Sequence, residues 1–168
     1  LFLQGFFGVF PWNVITFYIF GYLGTERGYS ENTQLLIMAP AVLILALGYP
    51  LGGYLGDRLF KRTLRGRLIV SAVGVLLGTV MLNITLNVPA SQVTLFAILL
   101  FVTALFLPSS SANVLATVYD VTLPEIRSTA NSIETFIESI GSASAPLIAG
   151  LIADATSVGN SIALICTV

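Results

Sequence analysis

Residues 33–55 read TQLLIMAPAVLILALGYPLGGYL, without a single charge, and residues 56–67 follow as GDRLFKRTLRGR, with Arg58, Lys61, Arg62, Arg65 and Arg67. Residues 68–86, LIVSAVGVLLGTVMLNITL, return to an uncharged and mostly apolar run. A helix needs ~20 mostly apolar residues to cross the ~30 Å hydrocarbon layer of a bilayer, and both runs have that length. Backbone groups in hydrocarbon must bond within their own segment or within a closed barrel. The period-two alternation of a barrel strand is absent, so the two runs are helices joined by a basic loop.

Composition points the same way. Hydrophobic residues make up 56% of the 168 and charged residues 9%, with mean hydropathy +0.95. A soluble domain carries roughly 25% charged residues, and so few charges cannot cover a water-exposed surface. Disordered chains are polar and charged, which excludes that class too. The chain has no His, which removes imidazole-based zinc, haem and nucleophile–base sites. A net charge of −1 offers no field for nucleic acid. No phosphate-binding Gly-x-x-x-x-Gly-Lys-Ser/Thr loop is present, so no ATP-driven engine is visible. The single cysteine, Cys166, has no internal disulfide partner.

Outward from the basic loop, further spans are expected over residues 1–23, 93–118 and 128–153, and a sixth starts at Ser161 and stops at residue 168. The first residue is Leu and no basic stretch precedes the first apolar run, so that run is not read as a signal peptide. Both ends look cut, and the chain is expected to be a fragment of a longer membrane protein. Six of the seven basic residues fall in two loops, residues 56–67 and 119–127, with only Arg27 on the other side. The positive-inside rule therefore places those two loops in the cytoplasm of an integral membrane protein, expected in the plasma (cell inner) membrane.

Small residues and prolines mark the helix contacts. Gly48, Gly52 and Gly56 recur every four positions and stack on one face, as Gly74 and Gly78 do on the next span. Such faces let two backbones approach closely in lipid. The glycine face of the second span is read as tight packing or as a sliding contact. Pro11, Pro50 and Pro108 lie inside spans, and Ser109, Ser110 and Ser111 after Pro108 can bond carbonyls that proline frees. These serines are read either as local repair or as substrate contacts.

The stretch Gly53-Tyr54-Leu55-Gly56-Asp57-Arg58-Leu59-Phe60-Lys61-Arg62 resembles the signature loop of the major facilitator superfamily, Gly-x-Leu-x-Asp-Arg-x-Gly-Arg-Arg/Lys. Gly53, Leu55, Asp57, Arg58, Lys61 and Arg62 match, and Phe60 stands where the family usually has glycine. PEIRSTANS, residues 124–132, resembles the segment that often opens the eleventh helix of such transporters. GSASAPLIAG, residues 141–150, resembles the small-residue pattern of the fifth helix and its repeat. The fourth span has no Arg, which with the opening FLQGFFGVFPWN favours the C-terminal half over the N-terminal half. The resemblance implies an all-α transmembrane bundle, a six-helix half spanning residues 1–168, whose missing other half belongs to the same polypeptide. It implies that Asp57, with Gly53, Arg58, Lys61 and Arg62, forms a conformational latch against a helix N-terminus of that other half, beyond this chain. The competing reading is a solvated basic anchor on anionic lipid heads.

Glu134 and Glu138 are the most informative single residues. At ~1.5 Å per residue from Ser128, Glu134 lies about 9 Å and Glu138 about 15 Å along the fifth span. An ionised acid at that depth costs ~2.5–3.5 kcal/mol on insertion scales. The two share a face that Asn131, Gly141, Ser142 and Ala145 extend. Two carboxyls at this spacing repel when both are ionised and titrate as a pair. They suit proton coupling or binding of a cationic group; the alternative is structural hydrogen bonding to neighbouring Ser or Thr, or a wet cavity without function. Since the first and fourth helices of each half line the path in this family, the resemblance implies Gln4, Asn13, Tyr18, Tyr22, Ser109, Ser110 and Asn113 as path candidates.

The expected function is secondary active transport of a small-molecule solute by alternating access, coupled to protons at Glu134 and Glu138. Membrane lipids and the other half are the remaining partners; no cofactor, metal, catalytic residue or nucleic acid is expected. A channel or non-transporting membrane subunit is the alternative from another class. An intramembrane aspartyl protease fits least: Tyr119-Asp120 matches one of its motifs, but Leu55-Gly56-Asp57 lacks the first glycine of the other and the order is reversed. The topology is open to a direct check in the full-length protein. A membrane-impermeant thiol reagent should label Ser30→Cys in intact cells and Leu64→Cys only after permeabilisation; labelling of Leu64→Cys from outside reverses the orientation.

Overall fold

The computed structural model describes residues 6–167. No strand occurs among the described residues, and five helical stretches are long and apolar enough to cross a membrane: Phe6–Glu26, Glu31–Phe60, Gly66–Leu86, Val93–Val121 and Pro124–Ala155. Their outward faces carry exposed Leu35, Leu43, Leu76, Phe136 and Leu151, which water would not tolerate in such number. The chain is an integral membrane protein built as an all-α helical bundle. The helices are α1 (Phe10–Gly21), α2 (Glu31–Phe60), α3 (Gly66–Leu86), α4 (Val93–Phe106), α5 (Ser109–Val121), α6 (Arg127–Ala155) and α7 (Val158–Ile165). They divide into two units, the described parts of residues 1–34 and 125–168, and residues 35–124.

In the unit of residues 35–124, the glycine face of α2 decides the packing. A Cβ on Gly48 would strike the Leu105 carbonyl and Pro108, one on Gly52 the backbone of Ser109, and one on Gly56 the Asn113 amide. The steps of four on α2 thus meet steps of four on the α4–α5 stretch, and the two run parallel. From α3, Gly74 faces the Ser109 hydroxyl and Gly78 faces Leu107. Ser109 therefore sits between two glycines of two helices. Lipid tails are as apolar as leucine, so close van der Waals contact of this kind is what holds such helices together.

The run expected as one helix over residues 93–118 is two, α4 and α5. Pro108 has no N–H to continue the ladder, and its ring clashes with the preceding turn. Ser109 Oγ donates to Phe106 O at 2.6 Å, one of the carbonyls left at the end of α4. Pro40 and Pro50 in α2 and Pro146 in α6 leave their helices unbroken. The second helix runs to Phe60 rather than residue 55, so Gly56, Asp57 and Arg58 lie in its last turns and not in a loop. The connection that remains is Lys61–Arg65. Its tight closure rests on Gly66, where a Cβ would overlap the Leu59–Phe60 backbone. The glycine that the loop needs is present six positions later than the family pattern puts it.

In the other unit α1, α6 and α7 pack pairwise around Val14, Ile19, Leu23, Ala145, Ala149 and Ile162. Tyr22–Glu26 widens into a π-helical turn, and Gly28 then reverses the chain at φ +67°. Tyr18 donates to Pro146 O at 2.9 Å, and Ser161 to Ala149 O at 2.6 Å. The Glu26 carboxylate accepts from the backbone N–H groups of Val158 and Gly159 at 2.5 and 3.1 Å. A carboxylate there satisfies orphan donors and faces the positive end of α7. α7 starts at Val158, three residues before the sixth run drawn from sequence, because Ser157 caps it through a bond from Asn160 N–H at 3.1 Å.

Gly52→Ala should cost about 1–3 kcal/mol by overpacking against Ser109. Gly53→Ala, whose Cβ meets only Ala112 Cβ at 3.7 Å, should hold or slightly raise stability. Thermal unfolding of the full-length protein in detergent separates the two.

Candidate functional site

The charged loop organises around Arg67, which sequence reasoning counted only as a topology signal. Arg67 Nε and Nη2 donate to Asp57 Oδ1 at 3.0 and 2.8 Å, and Nη1 donates to Asp120. Its guanidinium carbon lies 4.5 Å from the centre of the Phe60 ring. Arg67 opens α3, Asp57 and Phe60 close α2, and Asp120 closes α5, so one side chain ties three helix ends. The planar fork of Arg suits a carboxylate on its edge and an aromatic ring on its face. Phe60, unexpected in the signature, thereby supplies a surface that glycine lacks. Asp57, expected to face a helix N-terminus of the other half, also meets a cation within this chain. Asp120 was missed because residues far apart in sequence become neighbours only when α3 and α5 pack.

The remaining signature residues sit apart from this ionic node. Arg58 is exposed and donates through Nη1 to Tyr54 Oη at 3.0 Å. Lys61 and Arg62 are exposed, and Gly53 packs near Ala112.

The acidic seam lies on α6. Glu134 is buried, at 8% exposure, and its Oε1 has no hydrogen-bond partner among the described residues. Glu138, one turn on, is half-buried, as is Asn131. Further along the same face Gly141 lies against the Phe6 carbonyl, and Ser142 Oγ receives a bond from Asn13 Nδ2 at 3.0 Å. An unpaired buried carboxyl oxygen is costly, so Glu134 needs something that the described residues do not supply.

The path candidates fall into different surroundings. Gln4 lies outside the described residues. Asn13 and Tyr18 are half-buried and bond α6. Tyr22 is buried, its hydroxyl accepting from Arg27 Nε at 2.8 Å under a guanidinium 5.2 Å from its ring centre. Ser109 and Asn113 are buried in the glycine packing, and Asn113 Nδ2 donates to Gly52 O at 3.0 Å and Ser109 O at 2.9 Å. Ser110 is half-buried, and its carbonyl accepts from Ser71 Oγ at 3.5 Å. Several of these polar groups thus hold helices to one another. No group of three or more His, Cys, Asp or Glu among the described residues could hold a metal ion.

A chain with five spanning helices, a glycine-packed helix pair and a basic turn between its second and third spans belongs to the class of polytopic helical membrane proteins. The family model of the Major Facilitator Superfamily matches residues 1–168, and the chain belongs to that superfamily. It is a membrane transporter of the major facilitator type. No curated protein and no solved structure matches it.

The partners of Arg67 are solvent-accessible, Asp57 at 60% and Asp120 at 41%, so each pair is worth only about 0.2–1 kcal/mol. Arg67→Gln should lower the unfolding free energy of the full-length protein at low ionic strength by about that small amount per pair, and the difference should shrink in molar salt. A salt-independent loss would trace the effect to the Phe60 stack instead.

Proposed function

We propose that this chain is the C-terminal half of a secondary transporter that moves a small solute by alternating access, coupled to protons at Glu134 and Glu138. The observation that supports the reading is the buried Glu134 Oε1 on a membrane-spanning helix, which has no hydrogen-bond partner among the described residues. A carboxyl there either keeps its proton or meets a cation, and the exchange of one for the other is the elementary act of coupling. Glu138, one turn further along the same face, makes the site a pair whose protons are shared. The half-buried Asn13 and Tyr18 on α1 and Ser110 on α5 are the solute contacts in this reading. Tyr22, Ser109 and Asn113 then support the path through the helix contacts that they make. The Asp57–Arg67–Asp120 node acts as the latch. With Gly53, Arg58, Lys61 and Arg62 it holds the cytoplasmic end of this half against the other half in one conformation, and that contact opens when the halves rock.

Full-length protein in proteoliposomes tests the coupling. Uptake driven by a pH gradient should fall about tenfold or more in Glu134→Gln and in Glu138→Gln. Solute exchange at equal pH should persist in both. Wild-type gradient-driven uptake in both variants would overturn the assignment. Uptake in the parent protein that ignores a proton gradient would favour a channel.

A further inference from the structure

A cleft of about 470 Å³ opens within the unit of residues 35–124, a volume that suits a small organic ligand. Leu51 and Leu55 of α2 form one wall, Val73 and Leu77 of α3 the other, and Phe106 closes the floor. Arg58 and Arg62 stand at one end. From Leu51 to Arg62 the α2 side of the cleft runs about 16 Å at ~1.5 Å per residue. The cleft is therefore polarised along the helix, with hydrocarbon at depth and two guanidiniums at the loop end. Leu51, Leu55 and Val73 are all exposed, so the slot opens sideways onto whatever surrounds the helices. Neither Arg58 nor Arg62 forms an ion pair among the described residues, whereas Arg67 nearby takes both available carboxylates.

We propose that this cleft is a binding site for one anionic glycerophospholipid, its phosphate held between Arg58 and Arg62 and one acyl chain lying along the Leu51–Leu77 slot. The chemistry fits at both ends. Guanidinium forks match phosphate oxygens with paired N–H bonds, and two of them concentrate charge where a headgroup sits. The apolar slot shields an acyl chain from headgroup water and replaces loose lipid with a shaped contact. A free phosphate would use the arginines but leave the slot empty, and a zwitterionic lipid would fill the slot but bring an ammonium that offsets its phosphate charge beside the arginines. The proposal is independent of the proton-coupling reading, because none of its residues lies on α6.

Native mass spectrometry and thermal unfolding of the full-length protein in detergent test it, with added dioleoylphosphatidylglycerol, dioleoylphosphatidylcholine or inorganic phosphate. Wild type should bind phosphatidylglycerol about tenfold or more tightly than phosphatidylcholine. The Arg58→Gln/Arg62→Gln variant should lose that preference, while Arg65→Gln, outside the cleft, should keep it. Val73→Trp fills the slot without touching the charge and should weaken phosphatidylglycerol binding by a similar factor. Leu77→Trp serves the same purpose should Val73→Trp not fold. Undiminished binding in the arginine variant overturns the proposal. Undiminished binding in the slot variants shows a surface-charge effect and overturns it as well. Stabilisation by inorganic phosphate equal to that by the lipid identifies a bare anion site and overturns the lipid.

Discussion

Helices in hydrocarbon have no hydrophobic reason to prefer each other over lipid, so residues 35–124 depend on how closely their backbones approach. Gly52 and Gly74 bring α2 and α3 onto opposite sides of Ser109, at distances where a single methyl would overlap its neighbour. Everything else in that unit follows from this contact. It places Asn113 where its amide reaches Gly52 O, aligns the ends of α2, α3 and α5 around Arg67, and leaves the slot between Leu55 and Val73 unfilled.

The second constraint is the satisfaction of polar groups away from water. Most hydroxyls in the spans solve it locally. Thr85, Thr103, Thr117 and Ser139 each donate to the carbonyl four residues back. Others, such as Tyr18, Asn13 and Ser161, bond across to a neighbouring helix. Against that background a Glu134 oxygen with no partner among the described residues stands out, because a carboxyl has no local backbone donor to turn to within a helix. Membrane helices keep such groups where a proton, ion or solute completes them. The charges outside the spans behave differently: they are hydrated, individually weak, and act through number and placement.

The signature stretch of residues 53–62 carries two separate tasks once the chain is folded. Asp57 and Phe60 turn toward Arg67, while Arg58 and Arg62 turn toward the apolar cleft. The tie of Asp57, Arg67 and Asp120 thus uses neither arginine of the amphiphile site, while Arg58 and Arg62 serve both that site and the proposed latch. The departure from the usual glycine at Phe60 is compensated twice, by the close approach at Gly66 and by the ring under Arg67.

The order of the long spans, their helical nature, the glycine face of α2 and the placement of Glu134 and Glu138 one turn apart on a spanning helix were legible in the sequence. Each depends on local composition or on a period of 3.6, and the bilayer imposes length and internal hydrogen bonding on any such run. The split of α4 from α5 was half legible: Pro108 and its serines were evident, but whether the helix bends or stops depends on the helices packed against it. The roles of Arg67, Asp120 and Phe60, the structural use of Ser109 and Asn113, and the cleft beside Arg58 came only from the tertiary structure. They join positions tens of residues apart, and no periodicity within one helix records which face of another it will meet.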